Sequence, residues 1–188
     1  MTTVFVGGSR HVARLNAQVT KRIDNIIVQE FDILVGDANG ADKAVQLYLH
    51  SKNYRSVVVF CTEGACRNNV GDWELRSVPA ETRERNAEFY SAKDRVMARE
   101  ATIGLMLWDG KSIGTLMNVY RLLGLGKKAV VYTVPEKEFT EFRTNDEWDL
   151  FIDHRESHIQ EKLKQRATLE ATANRRSSGQ ESLFERSR

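Results

Sequence analysis

Apolar residues gather along this chain in short runs separated by longer periodic stretches. Five runs, at 4–6, 31–35, 56–60, 102–108 and 129–134, are strand-length and apolar on successive residues. Unalternating runs of this kind are how strands covered on both faces of a parallel sheet read. Between them, residues 11–29 place Val12, Leu15, Val19, Ile23, Ile26 and Ile27 on one helical stripe. Residues 112–123 do the same with Ile113, Leu116, Met117, Tyr120 and Leu123. Segments 41–50 and 84–100 contain neither Pro nor Gly and complete the alternation. Strand, helix, strand in regular order predicts βαβ units: an α/β, Rossmann-like three-layer sandwich around a mostly parallel sheet of five or more strands.

Two stretches fall outside that rhythm. Residues 62–79 make a long connection holding Cys66, Arg67, Asn68 and Trp73, and loops of this length in compact domains are often lids or disordered. They are expected to approach a ligand. After Pro135 the chain becomes strongly charged. Trp148, Leu150, Phe151 and Ile152 suit a helix start docked on the body, residues 156–172 read as a solvated helix, and the Ser, Gly, Gln and Arg bias of 175–188 reads as unstructured. The expected division is a Rossmann-like domain at 1–135, a helical extension at 136–172 and a flexible basic tail at 173–188.

Charge narrows the partners. Of 188 residues, 28 are Lys or Arg and 26 are Asp or Glu, and the last sixteen hold four Arg and two Glu. The excess therefore lies in the tail and the body is neutral, which argues against a nucleic-acid partner but not against a pocket for one nucleotide. No apolar stretch approaches the length of a membrane span. The chain enters Val4-Phe5-Val6 without a basic-then-apolar leader, so a cytoplasmic protein is expected. Cys61 and Cys66 offer neither a disulfide framework nor a zinc spacing, and no His partner marks either as a nucleophile. His154 and His158 lack a third ligand and read as surface residues. Neither metal nor cofactor is expected.

Candidate chemistry lies in the loops. Six of the twelve glycines, Gly7, Gly8, Gly36, Gly40, Gly110 and Gly114, follow predicted strands one, two and four. The carboxyl edge of such a sheet is where ligands bind, and glycine lets a backbone approach them closely. Asp109-Gly110-Lys111-Ser112-Ile113-Gly114-Thr115 leaves a buried strand and opens a helix, so free amides, Lys111 and the Ser112 and Thr115 hydroxyls suit a phosphate. The plainer alternative is a glycine turn capped by Ser112. Gly8, Ser9 and Arg10 offer a second anion contact, or a helix cap and a surface charge. Asp37 and Asn39 are turn residues and Asp42 a first-turn residue, or the acidic Asp37 or Asp42 accepts from ribose hydroxyls near Gly40. Lys93 and Asp94 are adjacent on a helix, a spacing that does not make them face each other.

Taken together, Gly7-Gly8-Ser9-Arg10, Gly36 with Gly40-Ala41-Asp42, Lys93-Asp94 ahead of Met97-Ala98, and Trp108-Asp109-Gly110 with Ser112, Gly114 and Thr115 resemble the SLOG superfamily. The likeness covers residues 3–135 and is nearest to its small stand-alone bacterial and phage branch, related to the YspA type. It implies a Rossmann-like nucleotide-binding domain and a homodimer. The superfamily includes the LOG phosphoribohydrolases, DNA-processing protein A and antiphage sensor domains. In LOG enzymes an Arg-Lys pair precedes the Met and the glycine loop ends in a catalytic Glu; here those positions read Lys93-Asp94 and Asn118. An amide is no general acid or base. The resemblance thus implies a binder of a nucleotide-derived small molecule, acting as sensor or carrier. Its alternatives are a nucleoside 5′-monophosphate N-glycosidase whose carboxylate is Asp94 (with Lys93), Asp42 or Asp109, and, more remotely, a single-stranded nucleic-acid binder.

Overall fold

The computed structural model describes residues 1–185 other than Ala65, Glu81, Arg83 and Arg85, with side chains as far as residue 173. The chain runs β1 (Thr3–Gly8), α1 (Ala17–Val28), β2 (Asp32–Gly36), α2 (Ala41–Ser51), β3 (Val57–Thr62), β4 (Glu74–Val78), α3 (Ala87–Glu100), β5 (Ile103–Trp108), α4 (Ile113–Gly124), β6 (Lys128–Thr133), β7 (Glu138–Phe142), α5 (Asn145–Asp153) and α6 (Ser157–Glu185). One seven-stranded sheet has the order β4-β3-β2-β1-β5-β6-β7. Every pairing is parallel except β6 with β7.

The apolar runs became the five central strands because helices cover both faces. On one side α1 and α2 contribute Val19, Ile23, Ile26, Val45 and Leu49 against Val4, Val6, Ile33, Val35 and Val59. On the other, α3 to α6 contribute Met97, Leu116, Leu122, Trp148, Phe151, Ile159 and Leu163 against Phe5, Leu34, Phe60, Met106 and Val131. Each central strand thus sends apolar side chains both ways, and the three-layer α/β expectation is met.

Four details differ from the sequence reading. Residues 62–79 contain an edge strand, β4, in which only Val78 is buried, and β7 has only Phe142 buried. The first helix starts at Ala17, with Asn16 as its cap accepting from the Val19 amide, so Ser9 does not cap it. The solvated helix is longer and less solvated than expected: α6 buries Ile159 and Leu163, and its backbone continues to Glu185 through most of the expected tail. The last part of that tail, 186–188, lies outside the described residues. His154 ends α5 and His158 opens α6, so they do not share one helix; both are exposed. Among the described residues no helix is long and apolar enough to cross a membrane.

The topology sets the position of the site. From β1 the chain moves outward through β2, β3 and β4, then returns by α3 to β5 on the other side of β1. Strand order reverses between β1 and β5, and a crevice opens beyond their carboxyl ends.

Candidate functional site

Ser9 and Thr115 stitch the two sides of this crevice together. The Ser9 amide donates to Leu107 O (2.9 Å), and Ser9 Oγ accepts from the Asp109 amide (3.1 Å). Ser9 Oγ also shares a 3.0 Å hydrogen bond with Thr115 Oγ1, which donates to Ser112 Oγ at 3.1 Å. Ser9 and Thr115 are buried. Their hydroxyls therefore hold the β1 loop against the start of α4 and are already engaged. Asp109 likewise serves its own loop: Oδ1 accepts from the amides of Lys111 (3.0 Å) and Ser112 (2.8 Å), across a turn in which Gly110 has φ +84°. Ser112 caps α4. The anion-binding potential that remains is narrower than the sequence suggested. It consists of the Ile113 and Gly114 amides, which no side chain caps among the described residues, and the exposed Lys111. A Cβ on Gly114 meets nothing closer than Ser112 Oγ at 3.9 Å, so that position is open.

The opposite wall, after β2, is closed upon itself. Asp37 is buried and accepts from Arg67 three times, from the backbone amide (3.1 Å), Nε (2.9 Å) and a terminal nitrogen (2.6 Å). Burial opposes its charge, yet the Arg67 hydrogen bonds hold its carboxyl below the ordinary range. Both oxygens are thus occupied, and the expected ribose contact is not free. Gly40, at φ +86°, lies so close to the Arg10 backbone that a Cβ would overlap it. Gly36 leaves room for the Asp42 carboxylate and the Lys93 ammonium, which would collide with any Cβ there, and a Cβ on Gly8 would strike Leu107 and Ala41. These three glycines admit neighbouring protein atoms; of the glycines singled out, Gly114 is the one whose missing Cβ leaves open space on the cavity.

Lys93 and Asp94 do pair, contrary to the spacing argument. That argument concerns Cβ directions, but the long Lys93 side chain folds back so that Nζ meets Asp94 Oδ1 at 2.8 Å. The same ammonium lies 3.8 Å from Asp42 Oδ2. Burial opposes the Lys93 charge, but Asp94 and Asp42 outweigh it and hold the ammonium above its usual pKa. Burial dominates at Asp42, whose carboxyl is pushed up to about 6 despite Lys93.

Between the two walls lies a cavity of about 540 Å³, within the size range of small-molecule sites. Gly8, Arg10, Asp42, Lys93, Asp94, Asp109, Lys111, Ser112, Gly114 and Thr115 line it; Ser9, Asp37, Gly40 and Gly110 do not. Asn118 and Arg67 are also at its wall. Asn118 Oδ1 accepts from Arg121 at 2.7 Å.

Sequence reasoning missed Tyr90, Ser91 and Arg166. Tyr90 stands one helical turn before Lys93, and that spacing was a usable signal. Arg10 and Arg67 place their guanidinium carbons 5.1 and 4.6 Å from its ring centre. Arg166 comes from α6, and nothing in the local pattern marked it.

The lid expectation is not met. Trp73 is buried against the α2 side of the sheet and its indole donates to Tyr54 O (2.9 Å). Gln46, wholly buried, ties the segment down through Gly36 O, Asn68 O and the Val70 amide. Of Cys66, Arg67, Asn68 and Trp73, only Arg67 reaches the cavity. Burial pushes the Cys66 thiol up to about 11, away from nucleophilic use. Among the described residues no group of three potential metal ligands occurs.

The charge inventory is lopsided. Lys93 and Arg67 are answered by carboxylates, whereas Arg10, Lys111 and Arg166 line the cavity with no ion pair among the described residues. A comparison with protein-family models, with curated proteins and with solved structures found no match in any of the three.

Proposed function

We propose that this chain binds a nucleotide or nucleotide-derived phosphorylated molecule in the crevice between β1 and β5, as a sensor or carrier. The observation that carries this reading is the set of three cations with no ion pair among the described residues, Arg10, Lys111 and Arg166, around one cavity of a body that is neutral as a whole. Unpaired charge facing a concave site marks the sign of its ligand. A phosphoryl group sits on the Ile113 and Gly114 amides beside Lys111, where the helix dipole favours it. A base stacks on Tyr90, taking the place of a guanidinium over that ring. This arrangement agrees with the resemblance to the SLOG superfamily, and a homodimer is part of the same proposal.

A thermal-shift screen against nucleoside monophosphates, cyclic dinucleotides and ADP-ribose derivatives tests it. A ligand at about 100 times its dissociation constant adds about 2.7 kcal/mol. At least one phosphorylated nucleotide is expected to raise Tm in the wild type and not in Gly114→Val, which has room to fold but fills the seat. An equal shift in both removes the assignment to α4.

One observation favours a second reading, N-glycosidic hydrolysis. Asp42 lines the cavity with a carboxyl pKa near 6, suited to donating a proton near neutrality. Asp94 Oδ1 accepts from the Lys93 ammonium at 2.8 Å, whereas Asp42 Oδ2 accepts from a neutral donor, the Ala38 amide at 3.2 Å, with Lys93 farther off at 3.8 Å. Free base and ribose phosphate among the products of a binding nucleotide select this reading; unchanged nucleotide selects the sensor.

A further inference from the structure

Asn118 carries an amide whose two ends cannot be exchanged. It sits in the middle of α4, only 5% exposed, and its Oδ1 accepts from Arg121 Nη1 at 2.7 Å. A guanidinium has donors only, so the end of the amide against it is the oxygen. Arg121 is fixed in turn by a fork: Nε and Nη2 donate to the two oxygens of Glu170, at 2.7 and 2.6 Å. Arg121 is itself buried, so turning the amide over would set its nitrogen against a donor that has nowhere to move. Asn118 Nδ2 is therefore aimed away from Arg121, and it donates to nothing among the described residues. Asn118 lines the cavity and Arg121 does not, which leaves the free end of the amide to the cavity. Nδ2 is not one of the polar atoms sealed off without a partner among the described residues.

Holding Arg121 needs only an acceptor. The amide also brings a buried N–H for which the fold provides none, and such a group costs stability until an acceptor arrives. Its position suits a ligand. Gly114, whose amide belongs to the proposed phosphoryl seat, stands four residues earlier and lines the same cavity, so the two share one face of α4. We infer that Asn118 Nδ2 donates a hydrogen bond to the bound nucleotide and is a specificity-determining residue of the pocket. This rests on the nucleotide-pocket reading above and deepens it. The acceptor belongs either to the phosphoribosyl part, common to all nucleotides, or to the edge of the base. Arg10, Lys111 and Arg166 attract any anion. A neutral donor held in one orientation instead reads the position of an acceptor, and it rejects a ligand that presents a donor there.

Calorimetric titration of the full chain with adenosine, guanosine, cytidine and uridine 5′-monophosphates, ADP-ribose and cyclic diguanylate tests the inference. Two variants are paired. Asn118→Ala removes the donor and adds no charge; Asn118→Asp keeps an oxygen on Arg121 and turns an acceptor to the cavity. For at least one nucleotide, Asn118→Ala is expected to weaken binding about fivefold and Asn118→Asp about twentyfold or more. Losses of equal size for all nucleotides that bind place the acceptor in the phosphoribosyl part, and losses that depend on the base place it on the base edge. Loss in Asn118→Asp alone would show charge repulsion without a contact, and loss in Asn118→Ala alone would show that Asn118 serves only to anchor Arg121. Either result, or two variants that bind as the wild type does, overturns the inference. Wild-type protein that binds none of these compounds refutes the nucleotide-pocket reading, and the inference falls with it. Melting curves without ligand report whether a loss of affinity is a loss of fold. If Asn118→Ala melts low, Asn118→Leu fills the space without a donor and takes its place.

Discussion

The two walls of the crevice are built from similar residues and treat them in opposite ways. On the β2 side each charge has a partner: Asp37 with Arg67, and Asp42 and Asp94 with Lys93. There Gly36 and Gly40 are glycines because protein atoms occupy the space of a Cβ. On the β5 side Lys111 and Arg166 have no ion pair among the described residues, and Gly114 faces open space. A glycine-bearing loop at a strand end is therefore ambiguous: the same residue type closes one wall and leaves the other available. The distinction lies in what fills the missing side chain, and it predicts opposite outcomes for the same substitution on the two sides.

The largest effect belongs to the closed wall. Gly40 combines φ +86° with the Arg10 backbone where a Cβ would go. Neither the conformation nor the contact can relax by turning a side chain. Gly40→Ala is expected to cost about 3 kcal/mol or more, from backbone strain and overpacking together. Urea denaturation measures it as a lower midpoint with little change in slope. An unchanged midpoint would mean that this wall yields, and the contrast between the walls would lose its basis.

This difference explains how far the sequence could be read. The central strands were legible because β1, β2, β3, β5 and β6 are covered on both faces and show it in unbroken apolar runs. The edge strands were not. Glu74-Leu75-Arg76-Ser77-Val78 and Glu138-Phe139-Thr140-Glu141-Phe142 each bury one residue, so their composition is that of a loop. The start of α1 was misplaced because Val12 and Leu15 are apolar without being helical; they pack with the α1–α2 core from a loop. Ten of the fourteen candidate site residues line the cavity, since strand ends and the order of elements determine where loops converge. What the pattern could not supply was pairing. Nothing near Asp37 in sequence announces Arg67, thirty residues on, and Arg166 reaches the crevice only because α6 packs across α4.

A second, smaller effect separates two carboxylates within the closed wall. Asp42 is raised by burial from 3.8 to about 6, so the folded state binds its proton more tightly than the unfolded chain does. Its contribution to stability is greatest below pH 3.8 and is lost as pH rises through 6. Asp37 has the opposite sign: held down chiefly by Arg67 against its burial, it stabilises above 3.8 and loses that contribution as pH falls below it. The interval from pH 4 to 6.5 thus belongs to Asp42. Over it, wild-type stability is expected to fall relative to Asp42→Asn by on the order of 2 kcal/mol. Denaturation of both proteins at several pH values checks this, and parallel profiles would show that Asp42 keeps an ordinary carboxyl pKa.

The smallest change in stability makes the sharpest test of the open wall. Gly114 lies in the first turn of α4, in helical conformation, with no atom closer to a built Cβ than Ser112 Oγ at 3.9 Å. Nothing in the fold requires glycine there, and glycine costs a helix more backbone entropy than alanine does. Gly114→Ala is expected to raise stability by about 0.5–1 kcal/mol. The same methyl group projects where a phosphoryl group must approach the Ile113 and Gly114 amides. Affinity for a phosphorylated nucleotide is therefore expected to fall about tenfold or more, through loss of a charged hydrogen bond. Thermal melts with and without a nucleotide that stabilises the wild type read both quantities from one preparation. Higher Tm alone with an unimpaired ligand shift would move the phosphoryl group off α4 and onto the Arg10 and Lys111 side chains. A lower Tm without ligand would mean that Gly114, like Gly40, is held by its surroundings, and the two walls would then be alike.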